Sequence, residues 1–307
     1  MKSDLRLMLA KIEAVYGVDS APASANTMLI RWRDLPQPAP SDYVDRQLLR
    51  PYLGRSQLYK ANSKVTFSFA SEAAGSGTAG TPPPWRYLAR MCGFAETTNT
   101  GVSTVYNPIS TGEESSTIYY WIDGIQQKVV GCRGSLSLNF AAGQVPLINF
   151  DAMGVYAAPT DAAMGTPSWT FWKDPLVANN TNTPTFTLHG YGAKLRELRL
   201  DIARERIWRD WVNTRGVELG GRTPSGSVTI EMPAIASKDY FTIDQASTPG
   251  ALVLIHGTVA GNIFRIDAPK VQLMNPRYAT EQDLLLLTMD VALLPNAGND
   301  ELTITLT

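Results

Sequence analysis

Side chains suited to catalysis are scarce in this 307-residue chain. Only two histidines occur, His189 and His256, and neither has a nearby ligand partner of the H-x-x-x-H kind. A metal or catalytic centre needs several convergent groups, so both histidines read as strand-end or packed residues. The two cysteines, Cys92 and Cys132, lack C-x-x-C spacing and read as reduced, buried small hydrophobes. Neither a G-x-S-x-G elbow nor a G-x-x-x-x-G-K-[ST] phosphate loop is present. The stretch GSGTAG, Gly75 to Gly80, fits G-x-G-x-x-G, but Thr81-Pro82-Pro83-Pro84 follows it at once. A dinucleotide loop must open into a helix whose first amides receive the pyrophosphate, and three prolines cannot supply them. This stretch is therefore expected to be a loop. Glu113 and Glu114 sit in a Ser/Thr-rich segment and read as solvated. No catalytic residue, cofactor or metal is expected, and the chain reads as a non-enzyme.

Charge is also in short supply. Only 18% of residues are charged, and 27 Lys plus Arg against 28 Asp plus Glu leave a net charge of -1. Proteins that grip nucleic acid neutralise phosphates with clustered basic residues, so this balance argues against tight DNA or RNA binding. No apolar run approaches the roughly 18 residues of a membrane span. The opening MKSDLRLMLAKIEAVYG carries Asp4, Arg6, Lys11 and Glu13, which interrupt any signal-peptide core. The chain is expected to be soluble and not exported, with no membrane contact.

Glycine and proline are plentiful, at 24 and 20, which suits many short strands and turns. Leu5, Leu9, Ile12 and Tyr16 recur at helical spacing before Gly17, so residues 3–16 are expected to form an amphipathic helix. ASANTMLIRWRDL reads as extended. KVTFSFA (64–70) alternates apolar and polar residues as a half-buried strand does. WRYLARMCGF (85–94) follows the triple proline and has Gly93 near its end, a compact helix with start and stop signals. STIYYWIDG and QQKVVGCRGSLSLNF read as strands around an Asp123-Gly124 turn. Residues 161–184 have the texture of a connector. Beyond it, ELRLDIA (197–203), SVTIEMPA (227–234) and GALVLIHGTVAGNIFRIDAPKVQL supply further strands, although Leu195, Leu198 and Ile202 also fit a helix.

The two halves share an order. Each has an extended segment, a long excursion with Arg and aromatics, a strand opening on Val-Thr (65–66 and 228–229), a middle section and a final apolar strand. Those final strands, VPLINFDAMGVYAAP (145–159) and QDLLLLTMDVALLP (282–295), both carry Met-x-Val and then a proline four residues later. The middle sections differ, with a helix expected in the first and only SKDYFTID in the second. Two related β-domains are expected, 1–168 and 169–307, joined through the connector.

The excursions hold the candidate interaction residues. RELRLDIARERIWRDW alternates arginines with acids, which is not the pattern of a nucleic-acid patch. Arg, Trp and Tyr anchor protein interfaces, so Arg206, Trp208, Arg209 and Trp211 are candidate subunit contacts. The same argument covers Tyr43, Arg46, Arg50 and Tyr52 in the first excursion. A carbohydrate-binding β-sandwich, stacking sugars on Trp169, Trp172, Trp208 and Trp211, is a second reading; a β-rich hydrolase would need a constellation the sequence does not offer.

Three stretches carry a family resemblance: LAKIEAVYGVDSAPASANTMLIR, TPPPWRYLARMCGF and VQLMNPRYATEQDLLLLTMDVALLP. With these, most of the chain resembles phage tail tube proteins, in particular those of long, flexible, non-contractile tails. The resemblance implies tandem tail-tube-type β-sandwiches with a flanking α-helix in the first, the helix at 85–94 lying away from the lumen. It implies that inner-sheet strands of neighbouring subunits join into a barrel, and that a long loop, matching roughly 34–58 and 203–226 here, reaches the adjacent ring. With a duplicated domain, three chains would make a ring of six-fold appearance, stacked head to tail. Implied partners are further copies of the chain, a tape measure protein in the lumen, tail terminator and distal tail proteins at the ends, and double-stranded DNA in passage without tight binding. The implied location is the virion tail, after synthesis in the host cytoplasm. A tail terminator or distal tail adaptor would share the sandwich and remains an alternative.

Overall fold

A computed structural model describes residues 2–32 and 41–307. The part of the first excursion before Ser41 lies outside the described residues. The chain is mainly β. Its first half contains β1 (Arg6–Ile12), β2 (Arg31–Trp32), β3 (Asp42–Asp45), β4 (Leu58–Ala61), β5 (Lys64–Glu72), α1 (Arg86–Met91), β6 (Phe94–Asn99), β7 (Ser103–Pro108), β8 (Ser116–Ile122), β9 (Ile125–Ala141), β10 (Leu147–Tyr156) and β11 (Thr160–Asp161). The second contains β12 (Thr185–Leu188), β13 (Tyr191–Gly192), β14 (Leu195–Asp201), β15 (Arg204–Trp211), β16 (Thr214–Arg222), β17 (Ser225–Glu231), α2 (Tyr240–Gln245), β18 (Gly250–His256), β19 (Phe264–Glu281), β20 (Leu284–Leu294) and β21 (Thr303–Leu306).

One antiparallel run of eight strands, β2-β5-β10-β9-β14-β17-β20-β19, passes through both halves. It joins the halves at β9 and β14, where Glu197 to Asp201 pair with Ala141 to Ser137. On the other side of the core, β8 pairs with β1 and the first part of β9, and β18 with β12 and the first part of β19. β21 lies between β19 and β7. The two sides meet through Phe67 and Tyr120, and through Phe140 and Phe264, whose ring centroids are 6.5 and 5.7 Å apart.

The halves are traversed in one order. β1, β2, β5, β8, β9, β10 and β11 take the places that β12, β14, β17, β18, β19, β20 and β21 take later, with a two-stranded hairpin and a six-residue helix at matching points. Among the strands of the described residues, β6, β7 and β13 lack a counterpart. The middle of the second half is thus closer to the first than the sequence reading allowed. α2 forms there because Asp239 caps it, its carboxylate accepting from the Phe241 and Thr242 amides at 3.0 Å.

The two look-alike endings, β10 and β20, occupy equivalent central positions but differ in phase. Met289 and Val291 face the core, whereas Met153 and Val155 lie on the opposite side of β10 from buried Phe150 and Ala152. The strand is equivalent; the Met-x-Val match is not.

Both long strands bend at a bulge. β9 carries two residues, Gly131 and Cys132, opposite one of β10, and β19 carries Asn275 and Pro276 opposite one of β20. The first residue of each bulge is left-handed, with φ 61° at Gly131 and 52° at Asn275.

The predicted helix at 3–16 is overturned, because β1 occupies it. Leu7, Met8, Leu9 and Ala10 are all buried, so both faces of the segment are covered and helical spacing was a coincidence of a continuous apolar run. Met8 and Ala10 enter the main core. Leu7 and Leu9 join Tyr119 and Trp121 in a small outer cluster that the connector covers at Gly165. The expected helix at 85–94, the strand at 64–70 and the turn at Asp123-Gly124 are found, the turn having φ 39° and 85° as type I′ requires. GSGTAG forms a loop against the second half. Gly75 N donates to Asn262 Oδ1 and Gly77 N to Gly261 O, both at 2.9 Å, and a Cβ on Gly75 would strike the Gly261 carbonyl.

His256 is buried and holds the connector, bonding Thr183 Oγ1 at 2.9 Å and the Leu176 carbonyl at 3.2 Å. Burial pulls its pKa, and that of His189, below the ordinary value. A depressed folded-state pKa leaves stability complete above the unfolded value of about 6.5 and removes it as pH falls. Thermal melts are expected to be flat from pH 8 to 7 and to decline from about pH 6.5 to 5, with a shallower decline in His256→Gln.

Candidate assembly interfaces

The eight candidate contact residues fall on two hairpins at topologically matching points, β3–β4 between β2 and β5 and β15–β16 between β14 and β17. On the first, Tyr43 is 61% and Tyr52 64% exposed, Arg46 lies over the Tyr59 ring at 5.6 Å and Arg50 over Tyr52 at 5.8 Å. On the second, Trp211 is 67% exposed with Arg209 stacked on it at 5.3 Å. Trp208 is half-buried beneath Arg215, at 5.8 Å, and its indole N–H has no partner among the described residues. Arg206 is half-buried and close enough to Cys92 for its charge to oppose the rise that burial imposes on that thiol. The second hairpin touches the link that follows the first, where Arg215 Nη2 donates to the Ser63 carbonyl at 3.0 Å.

Their bases differ. β15–β16 is anchored on the first half. Tyr16 reaches between the bulge of β9 and β16, its hydroxyl accepting from Val217 N at 2.5 Å, while Arg133 stacks on its ring at 4.7 Å and bonds Glu218 at 2.8 Å. Arg204 and Arg222, opposite each other across the hairpin, both donate to the Ile109 carbonyl and pair with Glu113 and Glu301. Burial, and then the charge of Arg222, hold the Arg204 pKa below its usual value. Among the described residues the tip of β3–β4 has no such anchor. Leu49 and Leu53, between its strands, are fully exposed.

The eight-strand run supplies two further surfaces. It is open at both ends, since neither β2 nor the last part of β19 has a second neighbour strand among the described residues. Beside the β19 end stand exposed Tyr278, Leu284 and Leu285. The run's face away from the core is polar along its middle, with Ser68, Asp151, Ser137, Asn139, Ser227 and Thr229 on it.

Sequence reasoning missed Tyr16, Arg133, the sheet ends and the exposed leucines. Leu48, Leu49 and Leu53 were legible as apolar residues in a polar, proline-broken stretch; the Tyr16 contact spans 201 residues and had no local signal. Of the tryptophans weighed for sugar stacking, Trp172 packs against the core and donates its indole N–H to the Thr27 carbonyl at 2.9 Å. Among the described residues no group of three or more His, Cys, Asp or Glu could hold a metal ion, and no helix is long and apolar enough to cross a membrane.

Tyr16→Phe removes the acceptor of a buried amide and is expected to cost about 1–3 kcal/mol in urea unfolding. Gly216→Ala, whose Cβ would collide with the Tyr16 ring, is expected to destabilise the fold as well.

Comparison with curated proteins returns no match. The family model described as phage tail tube protein matches residues 3–307, effectively the whole chain, so the protein belongs to the phage tail tube protein family.

Proposed function

We propose that the chain builds the wall of the tail tube by joining copies of itself edge to edge, three to a ring, with rings stacked into the conduit for DNA ejection. Membership of the family gives a structural role in the virion tail. The observation that carries the finer reading is the repeated strand order. A run in which four strands of one half are followed by their four counterparts, and which is open at both ends, is suited to head-to-tail closure. Residues 1–168 and 169–307 would be the two tube-forming units, bridged by 161–184, and a ring would present six such units.

The polar face of the run would line the lumen. Serine, threonine and asparagine interact with passing DNA weakly, the Arg199 on this face is paired with Glu197, and a chain with net charge -1 is poorly suited to holding phosphates by counterion release. The two hairpins, with Tyr43, Arg46, Arg50 and Tyr52 on one and Arg206, Trp208, Arg209 and Trp211 on the other, would make contacts between subunits and rings. A tape measure protein would fill the lumen, terminator and distal tail proteins would cap the ends, and the subunits would be made in the host cytoplasm. No catalysis is proposed.

Negative-stain electron microscopy with native mass measurement tests this reading. Tubes with a regular repeat, and rings of three chains with six lobes, are expected. Six chains per ring would reject the trimer but not the tube; single rings that never stack would point to a terminator or adaptor. Trp211→Ala is expected to leave the circular-dichroism spectrum unchanged while weakening assembly by about 2 kcal/mol, roughly a thirty-fold higher threshold concentration.

A further inference from the structure

A cleft of about 470 Å³ lies where the two halves meet, and nothing in the fold or its strand pairing uses it. Its walls come from the end of β9, the connector, β12, β14 and β18, with Ala141, Ala178, Phe186, Ala193, Leu195 and Leu254 facing in. The alanines leave the space that larger side chains would fill.

Three of the polar side chains around it have partners of their own. Asn179 Oδ1 accepts from the Thr181 and Asn182 amides at 3.0 and 2.8 Å, Thr183 Oγ1 bonds His256, and Lys194 pairs with Glu231. The apolar part of the lining offers surface to an occupant recognised by shape and burial. Among the described residues the most exposed aliphatic side chains are Leu49 and Leu53, at the tip of β3–β4. Two leucines held fully in water four residues apart on one loop are costly unless something covers them.

We propose that the cleft receives Leu49 and Leu53 from another copy of the chain, in the adjacent ring. This rests on the tube reading and gives its stacking contact a defined socket. This socket would take only the tip of β3–β4, leaving the exposed tip of β15–β16, with Trp211, for other contacts between subunits.

Gly192 provides the test. It lines the cleft, its backbone is not left-handed, and a Cβ built on it meets nothing within 4 Å, so a larger side chain fits at the cleft's rim without backbone strain. Gly192→Leu and Leu49→Ser/Leu53→Ser are each expected to raise the threshold concentration for tubes at least ten-fold, while Gly192→Ala stays near wild type. In assembled protein, the pair Leu53→Cys with Gly192→Cys, or Leu49→Cys with Gly192→Cys, is expected to give covalent multimers on a non-reducing gel. The native Cys92 and Cys132 are buried and should not contribute. Tubes that form at the wild-type threshold in Gly192→Leu, or that give only monomers for both cysteine pairs, would overturn the socket and leave the tube standing. A wild-type chain that forms no tubes at any concentration would overturn both.

Discussion

The fold depends on bending a long strand without orphaning its amides. β9 and β19 each begin on one side of the core and finish in the eight-strand run, and each turns at a two-residue bulge. A bulge leaves an unpaired backbone group, which is expensive when buried. In β9 the solution is a side chain: Glu13 is buried, and its carboxylate accepts from Gly131 N at 2.7 Å, Thr117 Oγ1 at 2.9 Å, the Ser115 hydroxyl and Gly17 N at 2.8 Å. A buried anion with four donors is well satisfied, and those donors tie the start of the chain to β8 and β9. In β19 the second bulge residue is Pro276, which has no amide to satisfy. Two halves of one chain thus meet the same geometric demand by different chemistry.

Beside the apolar core that the halves share, a set of buried ion pairs bridges them. Arg204, Arg222, Glu113 and Glu301 form two ion pairs whose guanidiniums converge on one carbonyl, with Glu301 and Arg204 nearly inaccessible. Desolvation makes such pairs poor sources of net stability but exacting about geometry. They are suited to fixing the angle between the halves. Apolar contacts across the same boundary, such as Trp85 with Phe264 at 6.1 Å, supply adhesion.

Much of this was legible in the sequence where one face of an element is wet. Alternation in KVTFSFA, the Asp-Gly turn after STIYYWI and the proline-flanked helix at 86–91 all expose a polar side that marks the period. Where both faces are buried the period disappears, which is why RLMLAKI passed for a helix. The second helix had a readable start in Asp239, but its six residues offered no apolar stripe. The order of elements could be read from texture, whereas the phase of Met153 against Met289 could not, since a one-residue slip changes the face and leaves the letters alike. That Tyr43, Arg46, Arg50 and Tyr52 lie in one excursion and Arg206 to Trp211 in another could be read from local patterning, whereas the two-stranded hairpin each excursion forms could not. The anchor of Tyr16 on β16 did not, because contacts of such separation are set by the fold as a whole.

The position of β21 has a consequence for how the chain reaches this state. Its residues sit between β19 and β7, so a strand from near the end of the sequence completes a sheet that the first half has already begun. Until it arrives, β7 is an open edge, and β9 waits in the same way for β14. Such non-local pairings are slow to form and leave sticky strand edges while they are pending. A growing chain therefore spends its synthesis with the surfaces most prone to wrong pairing uncovered. β7 is not left wholly bare in that interval, because β6 pairs with it across a short local turn and covers its other edge early.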